Sequence, residues 1–393
     1  MAKKSFRVDW EVPGWRSFWV VTALVGGLWG CDLPEDDLGP QTVRVFTTDE
    51  AGVYGLVDRE LTTLESARRM RGGAVKMRGG GSVFIEAGLL DGSLTADSEE
   101  KIRETRLVKG DRRVEAEYLK EEGVLVPTDW DTLVMFSFYH HIERGLGFFQ
   151  ELGVPAQALR PTRCFFKVNF TSAFVFGQPL ITDNAAYAPA ADAFFLFPNQ
   201  VLNSGVPLAL NEGVSVHELS HAVKHRIIHG DKRLSITTED WTRAAANTYA
   251  SVDEGLADFF AAHHTGNPNF IEVSIDESFE LERDISEEQV FTEDLLSGVD
   301  GDELIYNPYP LGTAVASWLW AITGDVEERG LVAKGVVDAL NNLRPILGRD
   351  YALTDFLNHV VLHLDVGFQA QACELLKERL GEQFVEVVTC GPV

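Results

Sequence analysis

"SVHELSHAVKH", residues 215–225, places two histidines four apart with a glutamate directly after the first. On an α-helix four residues overshoot one turn by about 40°, so His217 and His221 project from one face. Two neutral imidazoles at that spacing can reach a single zinc ion. Glu218 lies about 100° around the axis from His217, close enough to take a proton from a water at the ion without ligating it. Metal-assisted hydrolysis needs that combination, because the ion lowers the pKa of a water and a carboxylate accepts the proton as the water attacks a carbonyl. A helix that merely carries imidazoles is the plainer alternative. The chain holds such a comparison in "HVVLH", residues 359–363, which has the spacing without the glutamate. His140, His141, His263 and His264 read as helix-face residues too. His225 drifts about 80° from His217 and falls off the ligand face.

A catalytic zinc also needs a third protein ligand. "SVDEGLADFFAAHH", residues 251–264, supplies a candidate in Glu254, with Asp258 one turn later. Asp258 can accept the free N–H of a ligating histidine and so fix its tautomer. The competing reading is structural: Ser251 and Glu254 have the spacing of a capping box, which would turn Glu254 back on its own backbone.

"VSVHELSHAV" and "DEGLADFFA" together resemble the two signature segments of the glutamate-ligand zinc metalloproteases, or gluzincins, of the thermolysin-like and fungalysin-like families. The resemblance implies that His217, His221 and Glu254 bind Zn2+, that Glu218 is the general base, and that Asp258 orients His217. It also implies a peptide or protein substrate. The metzincin pattern is absent, since Lys224 and Ile227 stand where it requires a glycine and a third histidine. Two further segments extend the similarity over about residues 131–324. "TDNAAYAPAADAFFLF" (182–197) resembles the family's edge strand, where Asn184 and nearby backbone would bind an extended peptide by strand addition. "YPLGTAVASWLW" (309–320) resembles a segment that carries a histidine three residues before a glycine. Tyr309 occupies that place here, so the expected oxyanion donor is a phenol, with Tyr249 and Tyr306 as other hydroxyls within the same region. Arg283, in "ELERDIS", resembles the arginine that holds a substrate carbonyl, with a surface salt bridge as the alternative. The 33 positions from His221 to Glu254 suggest an inserted loop over the site.

Composition frames this reading. The chain has 393 residues, 45% of them hydrophobic, and a formal charge of −26, which disfavours nucleic acid as a partner. "SFWVVTALVGGLWGC" (17–31) is too short an apolar run to span a bilayer but suits a secretory signal. Leu28-Trp29-Gly30-Cys31 resembles a bacterial lipobox, which implies lipidation of Cys31 and attachment to a membrane, although Trp29 departs from the usual small residue. Without residues 1–30 the chain carries 30 basic and 58 acidic residues, a formal −28. Of the remaining cysteines, Cys373 and Cys390 can pair, leaving Cys164 free. The acidic stretch "DLLSGVDGDE" (294–303) offers oxygen ligands for Ca2+ without EF-hand spacing.

Short β-like runs dominate up to about residue 127, with one helix expected near residues 60–70. A helix is expected over 131–154, β-like runs over 164–176 and 193–198, and helices over about 213–229, 252–264, 312–323, 328–343, 352–364 and 366–381. The expected organisation is a signal peptide (1–30), a tether (31–41), a β-rich accessory region (42–127) and a zincin-like protease domain (128–393). The expected fold class is α+β and two-lobed, a β-rich N-terminal lobe facing a helical C-terminal lobe across the zinc cleft.

Overall fold

Val43 and Val45 are fully buried, while Arg44 between them faces outward and pairs with Asp58 at 2.8 Å. That alternation marks a strand with one wet face. In the computed structural model it belongs to β1 (Gln41–Thr48), which pairs antiparallel with β2 (Tyr54–Leu61) and parallel with β8 (Val124–Pro127), itself paired with β7 (Tyr118–Glu121). The structure describes residues 37–49, 51–80, 82–85, 113–172, 184–189, 191–197, 205–230, 241–275, 283–300 and 306–380. The proposed signal peptide, the lipidation candidate Cys31 and most of the tether therefore lie outside the described residues.

A second sheet has six strands in the order β11-β12-β9-β5-β4-β3. They are β3 (Leu64–Ser66), β4 (Arg71–Gly72), β5 (Val75–Gly79), β9 (Thr162–Phe166), β11 (Asn184–Ala188) and β12 (Ala193–Phe197). β12 reads "AFFLF" with every residue buried, as expected of a strand covered on both faces and paired in parallel with β9. β11 lies at the edge. β6 (Ser82–Ile85) and β10 (Asn169–Ser172) form a separate parallel pair. The helix expected near residues 60–70 is absent: those residues form the end of β2, a turn, β3 and a second turn that closes at Met70, whose φ is +46°. Within it only β3 alternates, with Leu64 and Ser66 buried and Glu65 exposed between them.

The helices follow the sequence reading more closely. α1 (Trp130–Glu151) is capped by Asp129, whose side chain accepts from the Thr132 amide at 2.7 Å. α2 (Glu212–His229) is capped by Asn211 and is buried on nearly every side. α3 (Arg243–Thr265) starts at a Thr242 cap and stops at Gly266, in the left-handed conformation. It begins nine residues before the expected position, because the alanine-rich "RAAANTYA" continues the helix. Ser251 and Glu254 are consequently interior residues and form no capping box; the Ser251 hydroxyl meets the Tyr306 hydroxyl at 2.8 Å instead. α4 (Glu293–Gly298) is short, and residues 301–303 of the acidic calcium candidate lie outside the described residues. α5 (Tyr309–Ala321), α6 (Val326–Asn342), α7 (Leu353–His363) and α8 (Val366–Arg379) complete the set.

The result is an α+β chain with its sheets in the N-terminal half and most of its helices in the C-terminal half. All described residues belong to one compact unit, Asp36–Val393, and strands from both sides of residue 128 share the six-stranded sheet. No helix among the described residues is long and apolar enough to cross a membrane. Cys164 is buried and free and Cys373 is disulfide-bonded, while Cys390, its expected partner, lies outside the described residues.

Candidate metal centre

The centre is built where α2 and α3 pack together. His217 and His221 lie one turn apart on α2, with their Nε2 atoms 3.0 Å from each other. Glu254 reaches across from α3, its Oε2 lying 3.3 Å from His217 Nε2 and 3.8 Å from His221 Nε2. A triangle with those sides has a circumscribed radius of about 2.0 Å, so one point lies within ordinary zinc–ligand distance of all three atoms. Glu218 completes the group: suitable atoms of His217, Glu218 and His221 all lie within 4.8 Å of one another.

The tautomers follow from the other ring nitrogens. His217 Nδ1 lies 2.8 Å from Asp258 Oδ1, and His221 Nδ1 lies 3.1 Å from Asp253 Oδ1. Both approaches are bent away from ideal hydrogen-bond alignment. With a carboxylate beside each Nδ1, the proton sits there and the Nε2 lone pairs turn toward Glu254. Glu254 Oε2 is buried and accepts no hydrogen bond among the described residues. In that tautomer three acceptor atoms converge, an arrangement that either a cation or a proton on a histidine Nε2 would stabilise.

Each orienting carboxylate has its own buried cation. Arg283 binds both oxygens of Asp258, with Nε at 3.2 Å from Oδ2. Lys224 Nζ lies 2.8 Å from Asp253 Oδ1 and 4.0 Å from the centre of the Tyr249 ring. Four carboxylates (Glu218, Asp253, Glu254, Asp258) against two cations (Lys224, Arg283) leave a formal −2 around neutral imidazoles, the charge that one divalent ion cancels. The donor set and the charge both fit a zinc ion.

Electrostatics agree. Burial alone would lower the pKa of His217, but Asp258 and Glu254 raise it to about 10, so protons and a cation compete for the same position. Burial raises the Glu218 carboxyl above its usual range, against the lowering pull of the two histidines. Burial would also raise Glu254, yet His221 and His217 hold it below the ordinary carboxylate range.

Asn184 begins edge strand β11, and its Oδ1 accepts from the Ala185 amide at 2.8 Å. The Tyr187 amide donates to Glu218 Oε2 at 2.6 Å, which joins β11 to α2 beside the histidine pair. Arg283 is not a surface residue: it is buried, committed to Asp258, and stacked on the Tyr309 ring at 4.5 Å. Tyr309 starts α5, and burial, reinforced by Glu254, pushes its phenol up to about 12. The Tyr306 hydroxyl is engaged by Ser251, and the Tyr249 hydroxyl lies 3.2 Å from His229 Nε2. His225 stays outside the ligand group, and His359 and His363 bond to backbone carbonyls.

Sequence reasoning missed Asp253 and Lys224. The signal was present, since Asp253 directly precedes Glu254 and on a helix falls about 100° from it, toward the second histidine. No protein-family model matches the chain, and no curated protein matches it.

Proposed function

We propose that this chain is a zinc metalloendopeptidase resembling the gluzincins, two-lobed and zincin-like, that hydrolyses peptide bonds in peptides or proteins. The observation that carries the reading is the convergence of His217 Nε2, His221 Nε2 and Glu254 Oε2 on one point about 2.0 Å from each. Zn2+ held there supplies Lewis acidity toward a carbonyl and lowers the pKa of a water.

The chain's own groups do the rest. Glu218 has Oε2 anchored by the Tyr187 amide, which leaves Oε1 to take the proton from the attacking water. A carboxyl raised by burial can then pass that proton to the leaving amine. Tyr309 stays protonated across the working pH range and is poised to donate to the developing oxyanion, its ring held by Arg283. Substrate would add to β11. In an antiparallel pair each residue turns its N–H and C=O the same way. Tyr187 donates away from β12, so Tyr187 and Ala185 present their carbonyls along the outer edge, next to the Asn184 side chain. The disulfide at Cys373 is in keeping with an oxidising, extracytoplasmic setting, and Cys31 is the proposed lipid anchor.

A second reading, a catalytically degenerate surface binding module, is favoured by one observation: Tyr309 stands where the resembled families carry a histidine. Casein digestion with and without a chelator, on wild-type protein and Glu218→Gln, separates the two. The peptidase reading expects cleavage that the chelator and the substitution each abolish while zinc stays bound in Glu218→Gln. Stoichiometric zinc with no cleavage at high protein concentration supports the binding module.

A further inference from the structure

Arg226 is buried near the end of α2, two turns beyond Glu218. Its guanidinium donates to Asp192 Oδ1 twice, at 3.0 and 2.7 Å, to the Arg160 carbonyl at 3.0 Å and to Thr162 Oγ1 at 2.7 Å. Asp192 lies in the turn joining β11 to β12, at a φ of +44° that a non-glycine residue adopts only when its surroundings hold it there. The same Oδ1 accepts the Tyr187 hydroxyl at 2.9 Å, and Oδ2 accepts from Arg160 at 2.9 Å. Tyr187 therefore touches α2 at two places: its amide bonds Glu218, and its hydroxyl bonds Arg226 through Asp192.

These contacts close a loop of bonds between one strand and one helix. Two fixed points on α2, eight residues apart, determine both the distance of β11 from the helix and its tilt. An edge strand has a partner on one side only and is otherwise free to shift. We propose that Arg226 and Asp192 are positioning residues that set β11 against Glu218 and so align a bound peptide with the metal centre. The catalytic consequence rests on the peptidase reading; the hold on the strand does not.

Two mild substitutions test it. Tyr187→Phe removes one hydroxyl and keeps the ring between Phe194 and His225, while Asp192→Asn weakens the charge-assisted bonds to Arg226. Hydrogen exchange in a fragment spanning residues 184–197 is expected to quicken about tenfold in both variants, the factor for one lost hydrogen bond. Exchange in residues 353–363 serves as the unaffected control. Unchanged exchange at 184–197 overturns the proposal. A peptidyl hydroxamate, which needs both the ion and the strand edge, is expected to bind about five- to tenfold more weakly to the variants. Acetohydroxamate, which needs the ion alone, is expected to bind as before. Equal changes for the two hydroxamates overturn the alignment role. If the wild-type chain binds neither compound, the peptidase reading fails, and the exchange result alone decides whether the strand is held as proposed.

Discussion

Gly255 and Gly312 meet backbone to backbone where α3 crosses α5. A methyl placed on Gly255 would lie 2.3 Å from the Gly312 carbonyl oxygen, and one on Gly312 would lie 2.8 Å from the Ser251 carbonyl oxygen. The crossing holds Glu254 and Tyr309, three residues before Gly312, in one neighbourhood. Gly255→Ala is expected to destabilise the protein by about 1–3 kcal/mol through overpacking and to lower the midpoint of thermal unfolding by several degrees. Circular dichroism melts check it. An unchanged midpoint would mean the helices separate without strain.

Asp253 gives the second histidine the same support that Asp258 gives the first. Asp253→Asn keeps the shape but removes the charge that holds the proton on His221 Nδ1. Zinc affinity, measured by competition with a chromophoric chelator, is expected to fall about ten- to a hundredfold. An affinity equal to wild type would show that His221 needs no orienting carboxylate.

Tyr309→Phe isolates the phenol. If that hydroxyl is the oxyanion donor, kcat is expected to drop about 10²–10³-fold with little change in KM and with zinc content intact. A variant as active as wild type would move the role to another donor.

How much of this was legible in the sequence depends on the range of the forces involved. The histidine pair, Glu218, Glu254 and Asp258 were readable because helical spacing is local and the chemistry restricts the residue types. Asn184 was expected on an edge strand only through the family resemblance of residues 182–197, since "NAAYA" carries no strong periodicity of its own. α3 starts earlier than expected because the Thr242 cap and the alanine run that follows it begin the helix upstream of the acidic segment. The expected helix at 60–70 failed because pairing with distant partners, Gln41 opposite Leu61 among them, outweighs local propensity. Lys224, Arg283 and Arg226 could not be read as buried cations, since each is retained by a carboxylate from a different element.

Acid sensitivity follows from the buried histidines of α1. Burial pushes His140 down to about 3 and His141 to about 4, while the unfolded chain keeps values near 6.5. Above pH 6.5 both states hold the rings neutral. Below it the unfolded chain takes up protons that the fold refuses, so stability falls as pH drops from 6.5 toward 4. The slope is about 1.4 kcal/mol per pH unit for each ring. Glu212, which burial would raise and His264 holds below the usual carboxylate range, adds a loss of the same sign at lower pH. Urea unfolding at pH 7, 6, 5 and 4.5 checks this, and His140→Phe is expected to flatten the trend. A midpoint constant over that range would contradict it.

The most direct measurement is the zinc content of purified wild-type and Glu254→Ala protein after dialysis against metal-free buffer. The expected result is about one zinc per chain for the wild type and nearly none for the variant, with both remaining folded. Wild-type protein that retains no zinc, or a variant that retains as much as wild type, would contradict a centre made of His217, His221 and Glu254.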